Sequence, residues 1–190
     1  NSELSQVLQE KGEVFEWINQ NTPKDSVFYT LGGEYDYLMP VYTHNKVYYN
    51  FYATLSIMSN FETENRWLNQ QLFNPEVDKD YILENQRNFW CNTYLDEYHF
   101  NENRRKIFAA VSFKEHVPSV QFDEKLIDGL YDRYRNKLKS DPVSVISEYE
   151  VDYILLSSDY EYYDEALLRL NRLKTIERIA EFNGSILYKI

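Results

Sequence analysis

Val151-Asp152-Tyr153-Ile154-Leu155-Leu156-Ser157 decides the fold. This near-continuous apolar run, rich in branched and aromatic side chains, keeps almost no polar face for water. Such a run belongs to a strand at the centre of a sheet that is covered on both faces. Downstream, Asp164 to Leu173 reads as a helix that buries Leu167, Leu168 and Leu170. The chain then closes with Thr175–Phe182, a turn at Asn183-Gly184 and Ser185–Ile190. Asn-Gly between two apolar runs is a strong hairpin signal, because both residues tolerate the positive φ of a tight turn. Asn183-Gly184-Ser185 also matches a glycosylation acceptor, but the turn explains it fully.

Upstream of that strand, Asp141-Pro142 opens a short helix through Ile146. At the other end of the chain, Leu4, Val7, Leu8, Val14, Phe15 and Ile18 recur at spacings of three and four, which predicts a helix over 3–20 with one apolar face. Asn21-Thr22-Pro23 stops it, since a residue before proline is driven out of the helical region. Ser26–Leu31 reads as the first strand, ended by Gly32-Gly33. Val41–Thr43 and Lys46–Asn50 read as short extended pieces around His44-Asn45. A helix over 59–72 would bury Phe61, Trp67, Leu68 and Leu72.

Residues 76–140 read as mostly helical and rich in aromatics. Tyr81, Ile82, Phe89, Trp90, Tyr94 and Leu95 fit one helix, and Leu126, Ile127, Leu130, Tyr134 and Leu138 fit another. Ile107–Phe113 is too apolar for a loop and suits helix or strand. Strands that alternate with helices before a terminal hairpin predict an α/β fold: a mixed sheet sandwiched by helices. On this reading 1–190 is a single α/β domain, with 76–140 a helical insertion within it.

The chain has 190 residues, 43% of them hydrophobic and 17% aromatic, enough for a sizeable core. Twenty Lys and Arg against 31 Asp and Glu leave a formal net charge of −11. That balance argues against nucleic acid as a partner, because phosphate contacts need a clustered positive surface. A lone cysteine, Cys91, cannot close an intrachain disulfide and most simply fills a small apolar space. Neither a metal nor a cofactor is indicated: His44, His99 and His116 lack ligand spacing.

Several segments, taken in order, resemble a known domain. A helix ending Glu16-Trp17-Ile18-Asn19 runs into Asn21-Thr22-Pro23-Lys24-Asp25-Ser26-Val27-Phe28; later come Tyr149–Leu156 and the closing Asn183–Ile190. This order resembles the soluble extracytoplasmic domain at the C-terminal end of multi-pass membrane glycosyltransferases of the protein-mannosyltransferase-like superfamily. The resemblance covers roughly the first 70 and the last 50 residues, and each motif is by itself only a sensible helix stop, buried strand or hairpin. It implies a membrane localisation, with the leading helix near the membrane surface and the rest of a multi-pass membrane protein as partner. Carbohydrate or a lipid-linked sugar would be the ligand. The chain departs from the pattern at Asn45-Lys46, where relatives often carry Gly-Arg, and in its long helical insertion. The catalytic acid of such transferases lies between early membrane spans, so no catalytic residue carries over.

The residues themselves offer two clusters that could carry chemistry. Gly32-Gly33-Glu34-Tyr35-Asp36 follows the first strand, where α/β folds often place ligand loops. Its adjacent glycines lack the spacing of a phosphate loop and equally suit a tight turn. Ser157-Ser158-Asp159-Tyr160-Glu161, with Asp164 and Glu165, lies at the end of the central strand. Its carboxylates could hold a divalent cation or act as an acid–base pair, or simply mark a helix start with Ser158 or Asp159 as its cap. Eighteen tyrosines suit sugar stacking, a protein interface or a core. The candidate substrate-binding residues are Glu34, Tyr35, Asp36, Tyr37, Tyr42, Tyr49, Asp159 and Asp164, and no catalytic residue is assigned among them unless the chain is an enzyme in its own right. Arg104-Arg105-Lys106 and Arg133-Arg135-Lys137-Lys139 could meet anionic headgroups or form a solvated helix face.

Three functions fit. The first is a non-catalytic extracytoplasmic domain that assists acceptor or lipid-linked sugar binding. The second is a stand-alone soluble enzyme whose helical cap encloses a small, sugar-like substrate, with Glu34, Asp36, Asp159 and Asp164 as candidate acids. The third is a protein-interaction module anchored by exposed tyrosines.

Overall fold

The computed structural model describes residues 2–32, 34–50, 58–89, 100, 103–104, 106–108 and 124–190. The chain divides into two compact units: Asn1–Asn50 with Asn69–Pro75 and Lys137–Ile190, and Phe51–Leu68 with Glu76–Asn136.

The first unit carries a five-stranded mixed sheet. Its strands are β1 (Val27–Leu31), β2 (Lys46–Val47), β3 (Tyr153–Ser157), β4 (Glu177–Phe182) and β5 (Ser185–Lys189), in the order β2-β1-β3-β5-β4. β2, β1 and β3 run parallel, and the β4–β5 hairpin continues the sheet antiparallel from β3. β3 is buried at every position, as its apolar run requires. Asp152, just before it, accepts a 2.8 Å bond from the Val27 amide and so aligns the starts of β1 and β3.

Alternation along the strands splits the core in two. Phe28, Tyr153, Leu155 and Leu187 point to one face, where α1 (Ser2–Asn21) contributes Val14, Phe15 and Ile18, and α2 (Tyr35–Tyr42) contributes Tyr35 and Met39. Each fully buried aliphatic side chain here adds roughly 2 kcal/mol. Tyr29, Leu31, Ile154, Leu156, Ile186 and Tyr188 are buried on the other face. There Tyr29 donates to the Asn69 carbonyl at 2.7 Å and packs against Phe73, over which the Arg169 guanidinium lies. Asn171, just past α7 (Tyr163–Leu170), accepts from the Tyr188 hydroxyl at 3.1 Å. The N-terminal helix, the short helix α6 (Pro142–Ile146, capped by Asp141) and the closing hairpin follow the sequence expectation.

α2 is a correction. Val41-Tyr42 are helical rather than extended, and β2 holds only two residues. The helix forms because Tyr35 and Met39, one turn apart, bury the same face. Pro40 inside it has no amide to offer the Asp36 carbonyl, which instead takes a long 3.5 Å bond from the Asn50 side chain. Leu168 also departs from expectation: it faces solvent, while Ala166 and Leu170 make the buried side of α7.

The second unit holds most of α3 (Asn60–Gln70), α4 (Lys79–Glu84) and most of α5 (Glu124–Lys137). Trp67 is its anchor, packed by Phe89 at 4.4 Å and Tyr81 at 6.3 Å. Phe61, expected on the buried side of α3, is 64% exposed and lies beneath the Arg133 guanidinium. Leu138, expected to be buried, is likewise exposed. The helix expected from Tyr81 to Leu95 ends at Glu84 and gives way to a 3-10 turn at Gln86–Asn88 followed by Phe89; Trp90, Cys91, Tyr94, Leu95, His99 and His116 lie outside the described residues. Of the ambiguous Ile107–Phe113 stretch, Ile107 and Phe108 are helical and the remainder lies outside the described residues.

Candidate functional site

Two adjacent parallel strands send the chain to opposite faces of the sheet. β1 leads into α2 on the α1 face, and β3 leads towards α7 on the other. The carboxyl ends of such a strand pair open the crevice where α/β folds place ligands. Here that end is filled with polar side chains.

Lys11 of α1 is the centre. Its Nζ lies 3.2 Å from Asp159 Oδ2, 4.0 Å from Glu34 Oε2 and 4.2 Å from the centroid of the Tyr35 ring. The lysine is buried, whereas the Glu34 and Asp159 side chains are each about half exposed. One sequestered cation thus gathers two half-exposed carboxylates, Asp159 through a hydrogen bond and Glu34 at ion-pair distance. Tyr35 lies beneath them, buried, with its hydroxyl 2.8 Å from the Ser185 hydroxyl of β5. Burial pushes the Tyr35 phenol above its ordinary range; the Ser185 bond opposes that shift and the Asp159 charge adds to it.

Backbone geometry brings the two loops together. Gly32 has φ +124, and a Cβ there would stand 2.6 Å from both Asp159 Oδ1 and Ser157 Cβ. Only glycine allows the end of β1 to pass so close to the end of β3. On the far side, the Ser158 amide donates to the Gly184 carbonyl at 2.8 Å, which ties the hairpin turn to the same loop.

Asp36, in the first turn of α2, has its carboxyl pushed up to about 7. Burial is the main cause; the amides of Asp36 and Tyr37 oppose it, Glu34 adds to it and Lys11 opposes it. Its Oδ1 is buried with no hydrogen-bond partner among the described residues. This acid therefore keeps its proton to far higher pH than an ordinary aspartate.

Of the residues expected at the site, Glu34, Tyr35, Asp36 and Asp159 come together, and the sequence reading had missed Lys11. Its signal was its register: it falls on the apolar face of α1, one turn from both Leu8 and Phe15. A charged residue in that row needs a buried partner. Asp159 does not cap the next helix as one expectation had it; α7 starts later, at Tyr163, with Tyr162 at its N-cap and no side-chain cap bond. Asp164 sits exposed in the first turn of α7. Tyr49 is buried and, like Tyr35, offers no open ring face. Tyr37 and Tyr42 are partly exposed on α2. Gly33 lies outside the described residues.

Of the basic residues, Arg133 pairs with Glu64 and Lys137 with Glu148 at 3.2 Å, while Arg104 and Arg135 lie over the Phe108 and Tyr131 rings. His44 Nε2 lies 3.2 Å from the Thr22 carbonyl, a structural contact. Among the described residues no three His, Cys, Asp or Glu are grouped to hold a metal ion, and no helix is long and apolar enough to cross a membrane. Comparison with protein-family models, curated proteins and solved structures returns no match. Chemically, the site is a set of lysine-fixed carboxylate acceptors beside one proton-holding acid, suited to receive the hydroxyls of a polar ligand.

Proposed function

We propose that this chain is a non-catalytic recognition domain of a membrane glycosyltransferase-like protein, and that the Lys11–Glu34–Asp159 cluster receives hydroxyls of an acceptor or of a lipid-linked sugar. One observation carries the reading: two half-exposed carboxylates are fixed by a single buried lysine at the crevice end of β1 and β3. Pre-fixed acceptors bind polyols with little loss of side-chain freedom. The ordered resemblance of the N- and C-terminal segments supports the membrane context.

The test is calorimetric. The domain is titrated with a panel of methyl glycosides, and the titration is repeated on a Glu34→Gln/Asp159→Asn double variant. The expected result is saturable binding that weakens about tenfold in the double variant, the equivalent of roughly 1.4 kcal/mol. Equal binding by both proteins would contradict it. The membrane context is tested separately by fractionation of the full gene product, expected in the membrane pellet.

A second reading, a stand-alone enzyme, draws on Asp36 and Glu34. Burial pushes the Asp36 carboxyl up to about 7, the range that suits a general acid, and the charge of nearby Glu34 adds to that shift. Turnover of aryl glycosides that disappears in Asp36→Asn would favour it over the recognition reading.

A further inference from the structure

A second feature of α1 and α2 extends the carbohydrate reading, on which it rests. We propose that the groove between these helices, floored by Phe15 and Tyr42 and opened by Gly12, is a subsite for the apolar face of a pyranose ring.

The groove has a volume of about 340 Å³ and is lined by Gly12, Phe15, Glu16, Asn19, Gln20 and Tyr42. That size lies at the small end of ligand pockets. The Tyr42 ring stacks on buried Phe15, with centroids 5.6 Å apart and planes 16° from parallel, yet Tyr42 remains 44% exposed. Phe15 thus holds one ring face, while Tyr42 also lines the groove. At Gly12, among the described residues and apart from the adjoining chain and the helix's own backbone, nothing lies within 4 Å of the position a Cβ would take. Neither helix packing nor positive φ demands glycine there, and any side chain would stand in the groove.

The rim supplies the polar half of the match. Asn19 is committed to structure: its amide donates to the Tyr42 carbonyl at 2.9 Å and its oxygen accepts from the His44 amide at 3.2 Å. It holds the end of α2, and with it the Tyr42 ring. Glu16 and Gln20 are exposed and bonded to each other at 3.1 Å, a contact they can exchange for ligand hydroxyls. A pyranose presents one face of C–H bonds and an edge of hydroxyls, so an aromatic floor with an amide–carboxylate rim meets both. A lipid chain would use the floor but leave the polar rim of Glu16 and Gln20 without a role in recognition.

The groove and the Lys11 cluster share one neighbour, Phe15, which lines the groove and packs against Tyr35 beneath the lysine. Phe15 meets Tyr35 edge-on at 5.7 Å on one side and Tyr42 on the other. Tyr35 and Tyr42 are two helical turns apart, about 10 Å. A glycan with one ring on Tyr42 could reach the Glu34 and Asp159 carboxylates with the next.

Saturation-transfer NMR tests this with methyl β-D-glucopyranoside and methyl α-D-mannopyranoside as probes and glycerol as a polyol without a ring face. The expected result is strong saturation on the C–H protons of one ring face, and none on glycerol. Tyr42→Ala and Gly12→Leu should each weaken binding about five- to tenfold, whereas Tyr42→Trp should preserve it. Gly12→Leu guards against misfolding, since leucine is the better helix former and its thermal midpoint should match or exceed the parent's. Binding that is unchanged in Gly12→Leu but weakened in Glu34→Gln/Asp159→Asn would overturn the groove subsite and leave the recognition reading standing. No saturation with either glycoside would overturn both.

Discussion

Lys11 Nζ and Asp159 Oδ2 lie 3.2 Å apart although 148 residues separate them in the chain. The contact joins the N-terminal helix to the loop after the central strand, and Glu34 joins it from the loop after β1. Three segments distant in sequence thus share one cation.

Replacing Lys11 by Met would leave the apolar stem packed but release both carboxylates. Because those carboxylates are half exposed, water screens much of the loss. The expected cost is about 1–2 kcal/mol in urea unfolding at low salt, and less at high salt. The Asp36 carboxyl should then move further up, since Lys11 at present holds it down.

Asp36 makes stability depend on pH with a definite sign. Its folded value of about 7 lies above its ordinary 3.8, so the folded state binds the proton more tightly than the unfolded one. The benefit is fully present below pH 3.8 and is lost as pH rises towards 7. Asp36→Asn removes this dependence and should be more stable than the parent by roughly 1–3 kcal/mol at pH 8, with the advantage shrinking towards pH 4. Denaturant midpoints across that range, with carbon NMR of the Asp36 carboxyl, provide the check.

Gly32→Ala meets two obstacles together: a positive φ, and a methyl carbon 2.6 Å from the Ser157 Cβ. Neither yields without moving backbone. A loss of roughly 2–4 kcal/mol is expected. Gly12→Ala, whose methyl would meet nothing within 4 Å among the described residues outside its own helix backbone, should instead raise the thermal midpoint.

Tyr35→Phe leaves the Ser185 hydroxyl buried without this partner, at an expected cost of about 1–2 kcal/mol. Adding Ser185→Ala should recover part of that loss. A double-mutant cycle by chemical denaturation measures the coupling.

The parts of the fold legible in sequence were those whose residues report one environment. Val151–Ser157 has no polar alternation, Asn183-Gly184 sits between apolar runs, and Leu4–Ile18 keeps a helical period. α2 was illegible because Tyr, Val and Pro40 speak against a helix locally, and only the burial of Tyr35 and Met39 against the sheet overrides them. Phe61, Leu138 and Leu168 were misplaced for the reverse reason: each continues an apolar stripe beyond what its neighbours cover. At the site, Glu34, Tyr35, Asp36 and Asp159 were found by their position after strands. Lys11 could be found only by asking why a charge stands in the apolar row of α1.

The central claim is that the crevice end of β1 and β3 recognises sugar hydroxyls through carboxylates fixed by Lys11. Residue-resolved NMR of the domain during titration with methyl glycosides tests it most directly. The account predicts saturable shifts centred on Lys11, Gly32, Glu34 and Asp159. Shifts confined to other surfaces, such as the edge strand β4, or none at all up to saturating sugar, would contradict it.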